Sequence, residues 1–461
     1  VLRTALAAAL VVGAAPAGLP AQAALSLRQA LDEADRAAHP TRIAAGNAAA
    51  QRAQALTPLR GILPSVRLEG AVVRTTDPIG AFGTALRQRA ITAADFDPQR
   101  LNHPNAISNH QGSIIVEQPL VALDAWTARR AALRAADASD ATEAWTRLAT
   151  RTDVIRAYYG AVLATERVRT LTSAVTAGQA HLRQAESLVR NGMATRSDAL
   201  LAAVRTSELE AQLAEATGGA SSAHRQLAAV LGRRDGVAIS VRTALPPAAR
   251  IREVVADDTA DAGPGSRSDV DAAARALDAA RADAARARMT LLPRINSFAR
   301  YDWYSSARPY AGEKTWTVGV VASWSLFAGA GELADLRATS ARAEAARAAS
   351  DAVVVRARLE ADDTRTALAV ALVRLGIAER AVAQSAEAHR IVARKYAGGL
   401  ATIVELLDAQ AAETQTALAL SQAQFAAIAG AAARRQATGA DPAGIAALDA
   451  SAVATADSTA R

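Results

Sequence analysis

The sequence predicts a mainly α protein with a membrane β-barrel: long antiparallel helices forming a trimeric α-barrel, four strands per protomer contributing to a shared 12-stranded β-barrel, and an internal two-fold repeat. Three observations carry this. Residues 123–190 and 331–397 keep a helical pattern with no proline, and at 1.5 Å per residue each would be roughly 100 Å long, beyond any globular domain. Each half of the chain also holds a pair of segments with period-two alternation. Finally, NGMATRSDALLAA (191–203) and GGLATIVELLDAQ (398–410) share a glycine, an Ala-Thr pair, an acid (Asp198 against Glu405), a leucine (Leu200 against Leu407) and a following alanine.

Composition fits side-by-side helices. Of the 461 residues 51% are hydrophobic but only 3% aromatic, and the alanine that fills the difference favours helix and lets backbones approach closely. The net charge of +7 comes almost wholly from arginines interspersed with acids, as in RAALRAADASDATEAWTRLATRTD, which reads as solvated helix faces and not as a nucleic-acid surface. The chain has no cysteine, so a disulfide framework, a thiolate metal site and a lipidated N-terminal cysteine are all excluded.

Taken in order, residues 1–23 read as a signal peptide: Arg3, an apolar run from Leu6 to Ala15, and Ala21-Gln22-Ala23 as a cleavage site. No later run of about 20 apolar residues is evident, so a membrane-embedded portion would have to be built from strands. The first structural repeat, 24–232, opens with a helical stretch over 27–60 interrupted at Pro40. In its first strand, about 65–75, Val66, Leu68 and Val72 face one side and Arg67, Glu69 and Val73 the other. A polar, proline-bearing loop over Thr76 to Asn109 leads to a second strand at about 111–121. A long helix (123–190), a turn at Asn191-Gly192 and a helix over 195–231 follow. Residues 233–266, with Pro246-Pro247 and Gly263-Pro264-Gly265, read as an irregular insertion.

The programme then recurs in a second repeat, 267–439. A helix over 268–290 ends at Leu292-Pro293, as the first had ended at Leu63-Pro64. Strands follow at about 294–304 and 314–327; in the latter Trp316, Val318, Val320, Ala322, Trp324 and Leu326 alternate with small and polar residues. Tyr301, Trp303, Trp316 and Trp324 stand where a barrel would carry its aromatic belt. The long helix 331–397, the Gly398-Gly399 turn and a helix over 402–436 complete the repeat. Residues 440–461, small and polar, read as a disordered tail.

Four strands are too few to seal a barrel, because open sheet edges in lipid leave unsatisfied groups costing several kcal/mol each. Three copies would supply twelve strands, enough for an aqueous lumen. With the Leu-Pro steps before each hairpin, SLFAGAG after the fourth strand and the two G-x-A-T turns, the plan resembles the TolC family of trimeric outer membrane channels over essentially the whole mature chain. The resemblance implies a homotrimer in the outer membrane with a long periplasmic portion and contacts to outer membrane lipid. It also implies docking on a periplasmic adaptor (membrane fusion) protein and an inner membrane pump, proton-driven or ATP-driven, for efflux or type I secretion. It implies neither a cofactor nor an enzymatic activity.

Carried onto single positions, the resemblance implies that Glu405 and Asp408 line the narrow periplasmic entrance. Their i, i+3 spacing puts them on one helical face, and in a trimer they would form two rings of carboxylates that attract cations. The alternative is that they only complement the helix dipole. Tyr396 matches a residue that helps hold the entrance shut and Asp198 its acidic partner; a family member has arginine where Ala401 stands, so one closing link is absent. Gly192, Met193, Thr195, Gly399, Leu400 and Thr402 fall on the tip turns where an adaptor would grip.

Two other readings fit less of the sequence. For an enzyme, Gly312-Glu313-Lys314-Thr315 copies only the end of a phosphate-binding loop, the six histidines are scattered without metal-ligand spacing, and Asp362-Asp363 sits among arginines on a helix. An alanine-rich coiled-coil scaffold explains the helices but leaves the signal peptide and the Trp-flanked strands unaccounted for.

Overall fold

The computed structural model describes residues 24–233, 239–241, 244–256, 267–327 and 329–450. The expected signal peptide, parts of the 233–266 insertion and residues 451–461 lie outside this set.

The chain opens with α1 (Leu27–Ala37) and α2 (His39–Gln54). Ser26 caps α1 in a reciprocal box with Gln29, and Pro40 stands in the first turn of α2, where its missing N–H costs nothing. After Leu63-Pro64 come β1 (Ser65–Thr75), α3 (Pro78–Arg87), a 3₁₀ turn (Ala93–Phe96), α4 (Pro98–Asn102) and β2 (Ile107–Val121). The long α5 (Leu123–Arg190) and α6 (Arg196–Val230) follow, then α7 (Ala248–Ala256) and α8 (Ser268–Met289). β3 (Arg294–Ser305) and β4 (Glu313–Ser323) precede α9 (Gly331–Ala397) and α10 (Ile403–Thr438). A 3₁₀ turn (Pro442–Ala446) and α11 (Ala447–Ala450) end the described chain.

Three expectations require correction. Residues 76–109 are not a plain loop: they hold α3 and α4, each opened by an Asp-Pro pair in which Asp77 or Asp97 caps and the proline takes the first helical turn. Strand β4 stops at Ser323, not at residue 327, because its last partner in β3 is Arg294, the first residue of that strand. The start of the supposed disordered tail is folded. Asp441 caps Pro442–Ala446, Ile445 and Leu448 are buried, and the Leu27 N–H donates to an Asp449 carboxylate oxygen at 2.8 Å. The 233–266 insertion likewise contains α7, and Val241 makes a parallel bridge to Leu25.

The described chain forms two compact units. The first comprises residues up to Arg42, Thr146–Gly263 and from Glu360 onward. Its core joins Leu27, Leu31, Ile155, Tyr158, Tyr159, Leu227, Ile251, Leu375 and Ile428, with alanines filling the closest approaches. Arg151 spans Asp35 and Asp441 at 2.5 and 2.6 Å. Among the described residues one helix, α10, is long and apolar enough to cross a membrane by length and composition, contrary to the expectation that no such run follows the signal peptide. Its apolar residues Leu406, Leu407, Ile428 and Ala431 instead pack inside the protein.

The second unit comprises Ile43–Trp145 and Pro264–Leu359 and holds a four-stranded antiparallel sheet in the order β1-β2-β3-β4. Gly70 pairs with Gly112, Ile114 with Tyr301, and Tyr301 with Trp316. Arg267, fully buried, is neutralised by Asp269 at 2.7 Å and lies 4.6 Å from the centre of the Trp145 ring.

Candidate functional site

Two sites follow from this architecture, one in each unit. In the first unit the chain reverses twice, and the two reversals share one hydrogen-bond pattern. At the end of α5, Met193 N–H donates to the Leu188 carbonyl (2.9 Å) and Gly192 N–H to Val189 (3.0 Å); at the end of α9, Leu400 N–H donates to Lys395 (2.8 Å) and Gly399 N–H to Tyr396 (3.0 Å). This double bond pattern needs a left-handed residue after the helix, and Gly192 and Gly399 supply it with φ of 71° and 72°. The next helix begins at once with a reciprocal cap. Thr195 Oγ1 accepts from Asp198 N–H while the Asp198 carboxylate accepts from Thr195 N–H; Thr402 and Glu405 do the same.

The four helix ends meet in one apolar cluster of Ala185, Ala202, Tyr396, Ile403, Leu406 and Leu407. Asp198 is therefore half-buried beside this cluster, and Glu405 and Asp408 are exposed. The Glu405 carboxyl is held below its ordinary range by the Thr402 N–H and hydroxyl that it accepts from. Its dipole-capping role and its exposure thus coexist: the alternative offered by sequence applies to Glu405, whereas Asp408 lies beyond the cap. Tyr396 is 7% exposed, and its hydroxyl finds no hydrogen-bond partner among the described residues. Burial, followed by the nearby Asp198 charge, raises its pKa. Met193 and Leu400 project at the turns, 67% and 81% exposed.

Farther from the turns, His181 and His389 meet edge to face at 5.7 Å, and His389 Nδ1 bonds Glu413 at 2.5 Å. Among the described residues no group of three His, Asp or Glu side chains is arranged to hold a metal ion.

In the second unit the register sorts side chains onto two faces. Val66, Leu68, Val72, Ile114, Val116, Ala299, Tyr301, Trp303, Trp316, Val318 and Val320 share one face. Arg67, Glu69, Gln111, Ser113, Glu117, Arg300, Asp302, Thr315 and Thr317 share the other, with Val73, Ile115, Phe298 and Val321 among them. The apolar face is bare: Val66, Leu68, Trp316, Val318 and Val320 are all more than 60% exposed. On the polar face Arg300 bonds Asp302 at 2.8 Å, and Ser113 donates to the same carboxylate.

Of the four residues expected to form an aromatic belt, Tyr301 and Trp303 meet edge to face at 4.7 Å, Tyr301 pairs with Trp316, and Trp303 also meets Tyr310 at 5.7 Å, a residue the sequence did not single out. The Tyr310 ring covers Gly112 so closely that a Cβ there would lie 2.4 Å from it, while its hydroxyl donates to the Glu69 carbonyl at 3.0 Å. Trp324 lies just past β4, donating to the Leu291 carbonyl at 3.0 Å. Trp126 and Phe327 stand exposed with it. Their position beside the strands, in a chain so poor in aromatics, was the available signal. From Trp316 to Trp324 the extended chain covers roughly 26 Å, which at a tilt of about 40° spans about 20 Å of height, somewhat less than the roughly 25 Å apolar band of a membrane barrel.

Comparison with known proteins agrees with this geometry. The sequence matches the outer membrane efflux protein family over residues 83–233 and 265–440. No curated protein sequence matches the chain at a significant level. Among solved structures the fold is similar to the outer membrane protein VceC of Vibrio cholerae, with a TM-score of 0.74 at 19% identity, over 90% of this chain and 96% of that one. It is similar to the CmeC outer membrane channel of Campylobacter jejuni, with a TM-score of 0.74 at 14% identity, over 90% and 85%. The open MtrE outer membrane channel of Neisseria gonorrhoeae gives 0.71 at 19% identity, over 90% and 89%. The chain belongs to the outer membrane efflux protein family, whose fold is that of the TolC-like channels.

Proposed function

We propose that the protein is the passive outer membrane conduit of a tripartite efflux or secretion system: a homotrimer that receives cargo from an inner membrane pump through a periplasmic adaptor. The observation that carries this reading is the two-faced sheet. A bare apolar face suits lipid, a face of arginine, aspartate, serine and threonine suits water, and β1 and β4 each have one outer edge without a strand partner among the described residues. In lipid such edges are satisfied only by closure, and β4 of one protomer joined to β1 of the next makes a twelve-stranded ring from three copies.

At the periplasmic end, Asp198, Tyr396, Glu405 and Asp408 form the entrance constriction. The unpartnered Tyr396 hydroxyl finds its partner across the trimer interface, and Asp408 with Glu405 sets a negative ring. Met193 and Leu400, with Gly192, Thr195, Gly399 and Thr402, present the adaptor contact: exposed apolar side chains on rigid, doubly bonded turns suit a protein partner better than water. Energy comes from the pump; the chain supplies lumen and gate, with no catalytic step of its own.

The absence of cysteine makes the test direct. Single cysteines stepped along the outer edges of β1 and β4 are paired in one chain, oxidised in isolated outer membranes and read on denaturing gels. Covalent trimers at one register support the closure; monomers at every register overturn it.

A further inference from the structure

The folded segment between β1 and β2 lies at the loop end of the sheet, and it touches one face. Arg87 places its guanidinium 5.4 Å from the Tyr304 ring centre. Gln88 Nε2 donates to the Ser108 carbonyl (2.9 Å) and to Asn109 Oδ1 (3.1 Å), and Arg89 lies 3.2 Å from Glu313. Tyr304 pairs with Glu313, and both alternate into the same row as Asp302 and Arg300; Asn109, opposite Val73, lies on that polar face too. Tyr304 and Asn109 are only 7% and 6% exposed, so what would be the wetted wall of a lumen is covered here.

The covering helix has a definite orientation. Ala81 and Gln88 are seven residues apart, two helical turns, and therefore on one side of α3; Ala81 is buried and Gln88 bonds the sheet. Ile79 and Leu86 share the opposite side, and they are 85% and 58% exposed. The segment is built to hold this pose: Asp77 caps α3, Phe82 meets Phe96 edge-on at 5.8 Å, and Thr92 and Asp95 cap each other.

Size then decides what three such helices do. Twelve strands about 4.8 Å apart and tilted about 40° enclose a backbone bore of roughly 24 Å. A helix with its side chains is about 10 to 12 Å across, so three touching helices fill a circle of roughly 22 to 26 Å. We propose that residues 78–102 of each protomer form a second constriction, at the outer end of the lumen, with Ile79 and Leu86 as an apolar ring that filters what leaves. Apolar constrictions resist hydrated ions more than amphiphilic solutes, so this ring favours apolar cargo over salt. The proposal rests on the channel reading, since it takes the polar face as the lumen wall.

The test uses the full-length chain in planar bilayers, with Glu405→Ala and Asp408→Ala present so that the periplasmic end does not limit the current. Ile79→Cys and Leu86→Cys are made separately, so that one survives if the other fails to assemble. A bulky, membrane-impermeant thiol reagent is added on the loop side, and mass spectrometry verifies labelling. The expected result is labelling with loss of at least about half of the current. Labelling with full current, or no labelling at all, overturns the outer constriction and leaves the channel standing. A parent protein that inserts as trimers yet conducts neither with residues 78–102 present nor after their deletion overturns both.

Discussion

At Gly192 and at Gly399 the chain reverses with the same pair of hydrogen bonds and restarts with the same threonine-acid cap, yet the surroundings differ. The first turn follows Val189 and carries a single acid, the half-buried Asp198. The second follows the buried Tyr396 and carries Glu405 and Asp408 on one exposed helical face. Duplication preserved the backbone grammar, which glycine and capping chemistry dictate, and left the side chains free to divide the work. Both turns keep an exposed apolar tip, Met193 or Leu400, so the docking proposed above would draw on both. The exposed acids and the buried tyrosine of the proposed gate belong to the second turn.

The largest expected effect addresses the shared part. Met193→Asp and Leu400→Asp each remove an apolar anchor without touching the glycine, and each is expected to weaken adaptor binding roughly tenfold, the size of a buried-anchor loss, with drug efflux lost in a complemented channel-deficient strain. Loss at one turn alone would show that docking too has been divided. The next effect separates charge from capping. Glu405→Gln with Asp408→Asn keeps a side chain able to complete the cap but removes the negative ring, so cation preference in planar bilayers is expected to collapse while trimers remain intact. Asp198→Asn should change it far less.

Smaller still is Tyr396→Phe. The hydroxyl makes no bond among the described residues, so the expected result is unchanged thermal stability with a higher open probability; a marked drop in stability would place its partner inside the protomer. The mildest effect is on pH. Because Thr402 holds the Glu405 carboxyl below its ordinary range, the charged cap is complete above the ordinary carboxylate pKa and is lost as pH falls through the lowered value. Amide exchange at the start of α10, corrected for intrinsic rate, should therefore quicken only as the pH falls below the ordinary carboxylate range; Thr402→Val, which keeps the N–H but removes the hydroxyl, should weaken that dependence, and Glu405→Ala should abolish it.

The long helices and the strand Ser65–Thr75 were legible because a hundred ångströms of unbroken helical pattern, or clean alternation between lipid-suited and water-suited residues, has few other interpretations. What escaped was short and signalled by a single pair. Asp77-Pro78, Asp97-Pro98 and Asp441-Pro442 each open a helical turn, but in polar surroundings they read as loop or tail. The far end of β4 was overextended because alternation continues through Trp324 and Leu326 after the partner strand has run out at Arg294; pairing is a property of two strands, and pattern of one. At the turns, the Thr-x-x-Asp and Thr-x-x-Glu spacings are signals of the reciprocal caps that the structure forms there, and they went unread in the sequence. That Tyr310 would fold back over Gly112 was not readable, since it depends on the strand register.

A sheet with one bare apolar face, one polar face and two open edges is expected to exist in a bilayer only as part of a closed ring, here proposed to hold three copies. Native mass spectrometry of the chain extracted from outer membranes in mild detergent tests it most directly. The account predicts a single species with the mass of three mature chains; a monodisperse monomer that stays soluble after the detergent is removed would contradict it.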